Sequence, residues 1–334
     1  MNILFRTDSS KKIGSGHLQR CLNLASILNK MGNKIFFICS NYSGNLNYLI
    51  KRKYPLKILS SKNEIKKKFN PLSIEDQKID AMMTMKYAKK INIDFIVLDS
   101  YLFDFNWQSQ VRKFTKLIFI DDLASKNDCD IYINYHLENK DIIKKNFLNK
   151  NTVKLLGMKN FIVNKKHLKL KNQSKSKKIY VYMGDIDSKN YSFKLLKLFL
   201  NKEFEKFTFK FILGSNYSLK NFFDNKSNYK KNITSIKRRL NSIWNIFNFN
   251  KDIIICSGGL IASEALYLNV KSILICQNDS QFKNLKSKYS IIYRNIKDIN
   301  KNKILFNLDQ LVKSKVLYNT RNNTSLIKNI LSNV

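Results

Sequence analysis

The chain has 334 residues, 44% of them hydrophobic, which is enough for two ordinary domains with true cores. It carries 61 Lys+Arg against 24 Asp+Glu, a formal charge of +37. Such an excess raises the question of a nucleic-acid partner. Here, however, it is mostly lysine, spread along the whole chain among many Asn and Ile residues, with no zinc-finger or RNP-like motif. It reads as compositional drift, and no nucleic-acid partner is expected. No run approaches the ~18 apolar residues that a membrane helix needs, and the N-terminus enters a strand pattern without a basic-then-apolar leader. No membrane insertion is expected. The five cysteines (Cys21, Cys39, Cys129, Cys256, Cys276) are far apart and form no CxxC pair. They read as reduced, buried thiols of a cytoplasmic protein rather than a disulfide frame or a zinc site.

The first strand is expected at residues 1–5. It runs into a loop holding Gly14, Gly16 and His17 and then into a helix over about 14–31. Leu18, Cys21, Leu22, Ala25 and Leu28 give that helix one apolar face, and Gly32-Asn33 ends it. Strands follow at 34–39 and 56–59, with a short helix near 46–51 between them. A helix over 73–90 precedes the apolar run Asp94–Asp99. Residues 107–114 read as helix, 116–120 as strand and 131–134 as a shorter strand. Strands alternating with helices imply a parallel sheet covered on both faces. Ligands bind such sheets at the carboxyl ends of the strands. Arg6/Asp8, Asp99/Tyr101 and Asp121/Asp122 stand at such ends.

Residues 164–178 are rich in Lys, Asn, Gln and Ser and read as a solvated linker. The alternation then restarts with strands at 178–183, 208–213, 233–235, 252–256 and 272–276, the last of these taken as the final strand. Helices are expected over 191–202, 218–224, 243–248, 261–268 and 325–331. The division is therefore an N-terminal α/β domain over 1–163, the linker, and a C-terminal α/β domain over 179–334 whose last helix could pack back on the first domain. The fold class is α/β, with two Rossmann-like domains facing each other across a cleft.

Several stretches carry a resemblance. They are Arg6-x-Asp8 with Ile13-Gly-x-Gly-His17-x-x-Arg20-Cys-Leu-x-Leu-Ala25; Leu98-Asp-Ser-Tyr101; Trp107; Ile120-Asp-Asp-Leu-Ala124 with Cys129-Asp130; Met183-Gly-x-x-Asp187-x-x-Asn190; and Ser257-Gly-Gly with Ser263-Glu264-Ala265. In this order, across roughly residues 1–290, they resemble the UDP-sugar hydrolases of the pseudaminic acid pathway. Those enzymes share a glycosyltransferase-B architecture with MurG-type enzymes. The resemblance implies removal of UDP from a diacetamido-trideoxy-altropyranose by water, with inversion at the anomeric carbon. That places the step in nonulosonic acid biosynthesis for cell-surface glycans such as glycosylated flagellin. The chain departs from the family pattern at Gly184-Asp185, where Gly-Gly is usual, and at Asn278-Asp279, where Asn-Gln is usual. It departs again at Trp107-Gln108 for Trp-Glu, and at Asn160…Val163-Asn164, which lacks an arginine.

By resemblance His17 is the catalytic base, and the chemistry agrees. UDP leaves readily, so what is needed is one base poised near neutral pH, and the imidazole pKa of ~6.5 suits that task. Of the other two histidines, His136 follows a strand and His167 lies in the linker; neither is given a comparable setting. Tyr101 matches an active-site tyrosine that could hydrogen-bond the sugar or help fix the water. Arg6, Asp8, Gly14, Gly16 and Asp122 are expected beside the substrate. Gly184, Ser257, Gly258, Gly259 and Asn278 are expected around the diphosphate, held by a helix N-terminus. Glu264 is expected to accept from the ribose hydroxyls. Asp8, Asp121 and Asp122 invite a metal reading, but the resemblance implies none. Sugar contacts or loop-holding hydrogen bonds are expected instead, with no cofactor. The partner is a UDP-sugar and a monomer is expected. The rival readings are a UDP-sugar-dependent glycosyltransferase of the same fold and a non-catalytic anion-binding protein.

Overall fold

The computed structural model describes residues 1–10, 12–60, 70–137, 145–163, 177–184, 187, 189–214, 217, 231–237, 243–285, 290–315 and 324–333. Residues 164–176 of the basic linker, the helix expected near 218–224, His167 and Asp185 lie outside the described residues. The chain divides into two compact units, Met1–Asn164 with Asn322–Val334, and Lys165–Arg321.

The first unit holds seven parallel strands: β1 (Asn2–Thr7), β2 (Lys34–Ser40), β3 (Leu56–Leu59), β4 (Phe95–Asp99), β5 (Lys116–Ile120), β6 (Ile131–Asn134) and β7 (Val153–Leu156), in the order β3-β2-β1-β4-β5-β6-β7. Strand β1 shows why they form: its residues alternate between two buried faces. Ile3 and Phe5 join a core with Leu18, Ala25 and Phe37, while Leu4 joins one with Ile38, Ile96, Leu98 and Trp107 on the other side. Helix α1 (Gly16–Lys30) covers the first face and ends at Gly32, whose φ of +87° suits a helix stop. Helix α2 (Tyr48–Lys51) is a single turn. Helices α3 (Ile74–Lys90) and α4 (Phe105–Arg112) follow, each N-capped by a side chain, Ser73 and Asp104.

The second unit repeats the plan with β8 (Ile179–Tyr182), β9 (Phe209–Leu213), β10 (Ile233–Lys237), β11 (Ile253–Ser257), β12 (Ser272–Ile275) and β13 (Ser290–Tyr293), all parallel, in the order β10-β9-β8-β11-β12-β13. Among its described helices are α5 (Tyr191–Phe199), α6 (Leu260–Tyr267), α7 (Asp279–Asn284) and α8 (Lys301–Lys313). Helix α9 (Thr324–Leu331) closes the chain, and its Leu326, Ile327 and Ile330 are buried in the core of the first unit.

Three expectations are corrected. The strand at 272–275 is not the last, because Ser290–Tyr293 pairs with it in parallel register. That short segment is amphipathic at one edge of the sheet and gives little periodic signal. Strand β7 was not expected either; its first two residues are half-buried. Residues 243–248 form only a 3-10 turn, Ile243–Asn245. Among the described residues no helix is long and apolar enough to cross a membrane.

Candidate functional site

Each sheet reverses direction of strand order beside its first strand, between β1 and β4 in one unit and between β8 and β11 in the other. At such points the loops diverge and leave a crevice at the strand ends. In the first unit the β1–α1 loop enters this position. It is held by Ser10, whose Oγ accepts from the Ile13 amide at 2.9 Å and whose carbonyl accepts from the Gly14 amide at 2.8 Å. Gly14 sits at φ +88°, a conformation that side chains strain. The turn delivers His17 to the first turn of α1, buried at 6% exposure.

His17 Nδ1 lies 2.6 Å from Asp99 Oδ1, at the end of β4. Arg20, one helical turn on, grips the same carboxylate with two nitrogens, Nε to Oδ2 at 2.6 Å and NH2 to Oδ1 at 2.7 Å. Its NH1 reaches Asp122 Oδ1 at 2.7 Å and also donates to the Tyr135 hydroxyl. Tyr101 donates to Asp122 Oδ2 at 3.0 Å, and its ring meets the His17 ring edge-on, with centroids 4.2 Å apart. His136 Nε2 stands 3.9 Å from Asp122 Oδ1. One helix face and the segments that follow β4, β5 and β6 thus converge on one cluster of charged and polar groups.

The charges are settled by this geometry. Burial pushes the Asp99 carboxyl up, but the Arg20 guanidinium and the His17 imidazole more than offset it and hold it below the ordinary carboxylate value. Burial likewise opposes ionisation of Asp122, and Arg20, then His136, hold it well below. Tyr101 moves the other way: burial first, then the Asp122 charge, raise its phenol far above the usual range. An ionised Asp99 can only accept, so the 2.6 Å contact assigns the proton to His17 Nδ1. The Arg20 NH2 contact to the same nitrogen, at 3.4 Å, is too long to compete. Nε2 therefore carries the lone pair. A carboxylate that holds an imidazole in this way fixes its tautomer and its orientation.

Other expected residues are placed differently. Arg6 and Asp8 are inside the fold, at 0% and 1% exposure. Arg6 donates to Asp8, Asp80 and Ser40, and Asp8 also accepts from the Ser40 amide at 2.7 Å. Both brace the ends of β1 and β2. Asp122 has one oxygen on Arg20 and the other on Tyr101. Asp121 holds its own loop, accepting from the Leu123 and Ser125 amides and from Tyr132. Among the described residues no three His, Cys, Asp or Glu side chains are grouped to hold a metal. Gly16 opens α1, and a Cβ there would meet nothing within 4 Å.

Sequence reasoning left Asp99, Arg20 and Tyr135 without a role, although Arg20 stands one turn from His17 and Asp99 at a strand end. It also denied His136 a setting comparable with that of His17. The structure corrects this, because β6 ends beside β5 and sets His136 against Asp122.

In the second unit, Gly184 (φ +98°) lies just past β8, and a Cβ there would lie 3.8 Å from Ser257 Oγ at the end of β11, so the two strand ends adjoin. Gly258 is hemmed in: a Cβ would fall 2.9 Å from Gln281 Oε1 and 3.2 Å from Cys276 Sγ. Its amide donates to the Ile275 carbonyl. Gly259 is the N-cap of α6 and offers no side-chain cap, unlike α5, whose first amides are taken by the Asp187 carboxylate at 2.8 and 2.9 Å. Glu264, on α6, accepts from Trp244 Nε1 at 2.8 Å, and burial pushes its carboxyl up to about 7. Asn278 is the N-cap of α7, accepting from the Gln281 amide at 2.9 Å. Asp279 pairs with Arg294 at 2.7 Å, both exposed.

No family model matches the chain. An uncharacterised protein of Methanocaldococcus jannaschii, MJ1062, is 25% identical over 295 residues, which cover 84% of this chain and 57% of that protein. The chain thus spans a little over half the length of this relative. Among solved structures, the UDP-GlcNAc 2-epimerase of M. jannaschii superposes with a TM-score of 0.60 at 13% identity, covering 99% of both chains. MurG of Acinetobacter baumannii does so with a TM-score of 0.59 at 13% identity, covering 94% of this chain and 91% of that one. At these identities the likeness is one of fold: two Rossmann-like α/β units with parallel sheets, shared with MurG and with the epimerase.

Proposed function

We propose that the chain hydrolyses a UDP-linked sugar, releasing UDP with inversion at the anomeric carbon. The substrate class is a diacetamido-trideoxy hexose of nonulosonic acid biosynthesis, a cytoplasmic step. The observation that carries this reading is the 2.6 Å contact between His17 Nδ1 and Asp99, which fixes Nε2 as the basic nitrogen. Two others support it: the run of motifs along the chain, and a fold shared with a UDP-GlcNAc 2-epimerase.

In this mechanism His17 Nε2 takes one proton from a water molecule as its oxygen bonds to the anomeric carbon. The bond from that carbon to the UDP oxygen breaks, and UDP departs as the anion. Asp99 stabilises the imidazolium that forms, and Arg20 holds Asp99 in place. Tyr101, packed edge-on against His17, limits where the water and the sugar can sit. Arg6 and Asp8 keep the strand end that carries the loop in shape. Gly184, Ser257, Gly259 and the first amides of α6 hold the diphosphate, with the helix dipole favouring its charge. Gly258 contributes the close packing under that turn, since its amide is engaged by Ile275. Glu264 receives the ribose hydroxyls, and Asn278 shapes the neighbouring loop.

The test is incubation of the protein with UDP-diacetamido sugars and no acceptor, following UDP release and the product anomer by NMR. UDP is expected with inverted product. His17→Ala should lose 10²–10⁴-fold in turnover, the order of general-base catalysis, while still binding UDP. Turnover unchanged in that variant ends the proposal, and release only on adding a sugar acceptor turns it into a glycosyltransferase.

A further inference from the structure

Helix α3 buries one face and turns the other to solvent. Its Gln77, Asp80, Ala81, Thr84 and Ala88 are buried, and Ala81 and Ala88 join the core that holds Leu98 of β4 and Trp107 of α4. At about 100° per residue the opposite side carries Glu75, Ile79, Met82, Met83, Lys86 and Lys90, all exposed. A helix that faces only water places charged and polar residues there. Here the middle of the seam is apolar: Ile79 is 49% exposed, Met82 57% and Met83 38%. Among the described residues no other helix exposes more than one large hydrophobic side chain. The acid at the start of the seam and the lysines at its end suit the helix dipole, so the ends are explained without a partner. The apolar centre is not.

We propose that this face of α3 docks on the same face of a second copy of the chain, the two helices running antiparallel about a twofold axis. The seam is self-complementary in that arrangement and in no parallel one. With the axis between Met82 and Met83, Met82 of each copy meets Met83 of the other, Ile79 meets the methylenes of Lys86, and Glu75 meets Lys90. The charges therefore pair acid with base at both ends, while the apolar centre leaves water. A foreign helix would have to reproduce that order to fit as well. The end pairs form only if the helices cross at a shallow angle of about 20°, a common packing class. One helix pair buries less than the ~1,200 Å² of a tight interface, so the dimer is a weak one, with a dissociation constant on the order of 10 µM. It takes the place of the monomer expected from the sequence.

Sedimentation equilibrium of the full-length protein over about 1–200 µM tests this, with circular dichroism to check that each variant is folded. The unaltered chain should pass from monomer to dimer across that range. Met82→Asp should stay monomeric, because it sets two like charges at the axis. Glu75→Lys and Lys90→Glu should each weaken the dimer by about tenfold, since each turns two attractive pairs into repulsive ones. The double variant Glu75→Lys with Lys90→Glu should regain the original affinity, a rescue that a merely local effect on the helix would not give. A monomer at every concentration overturns the proposal. A dimer that persists in Met82→Asp places the contact on another face and overturns it too, and a double variant no tighter than the single ones overturns the antiparallel pairing. None of these readings involves a substrate, so the dimer stands or falls apart from the hydrolase reading.

Discussion

The two units place their candidate sites at the same topological position and fill them in opposite ways. In the first unit, Asp99 and Asp122 at the strand ends meet His17 and Arg20 from α1 in one bonded cluster around the switch point. In the second, the matching strand ends carry Gly184, Ser257, Gly258 and Gly259, and burial raises the carboxyl of Glu264, on α6, to about 7. A parallel sheet offers each unit the same crevice, and the residues decide whether it holds fixed charges or open backbone. Fixed, paired charges can set the protonation state of a base. Open backbone at a helix start can receive an anion that the protein does not itself supply. Helix α5 shows the alternative within the same unit: Asp187 caps its first amides, so that helix start is already occupied by a carboxylate.

The largest effect expected from breaking this contrast lies in the first unit. Asp99→Asn keeps the shape of the contact but removes the acceptor-only carboxylate, so His17 loses its fixed tautomer. Steady-state assays should show kcat falling by about 10²–10⁴-fold with little change in the affinity for UDP. A variant that keeps normal turnover would mean that the carboxylate does not orient the base.

Next is Arg20→Met, which leaves two buried carboxylates without their counter-charge. Urea unfolding at neutral pH should show a loss of about 3–5 kcal/mol. The pH dependence has a definite sign. Asp99 and Asp122 are both held below the ordinary carboxylate value, so they add stability that is present above the unfolded pKa of ~4 and is lost as pH falls below it. In Arg20→Met that part of the acid unfolding curve should flatten.

In the second unit the backbone itself can be tested. Gly258→Ala forces a methyl against Gln281 and Cys276, at 2.9 and 3.2 Å. Thermal unfolding should show destabilisation of about 1–3 kcal/mol, and calorimetry should show weaker UDP binding. An unshifted melting curve would mean that the turn relaxes easily.

The smallest effect is Glu264→Gln, which keeps an acceptor for Trp244 and removes the ionisable group. Because burial raises Glu264 to about 7, the wild type is most favoured while that carboxyl is protonated, below ~4.5, and loses this part as pH rises through 7. The stability of the variant relative to the wild type, read in urea titrations, should rise between pH 5 and pH 8. A difference that stays constant across that range would show that the carboxyl is ionised without penalty.

Much of the site's scaffold was legible in advance and much of its wiring was not. His17 could be singled out because glycines, an apolar strand and a helical stripe surround it in one continuous stretch. Its partners could not, because Arg20 meets Asp99 across 79 residues and Asp122 across 102. Arg6 and Asp8 looked like ligand contacts because they stand at a strand end. Only the position of Asp80, on α3, showed them to be buried in a network of their own. His136 meets Asp122 only through the pairing of β5 with β6.

The sequence by itself determined the alternation of strands and helices, the two α/β units and the loop that bears His17. Those features follow from residues a few places apart, through apolar periodicity and glycine dihedrals. Tertiary structure alone decided which charges meet, since that depends on strand order. Placing β4, β5 and β6 side by side brings Asp99, Asp122 and Tyr135 around Arg20, and no local pattern encodes that neighbourhood.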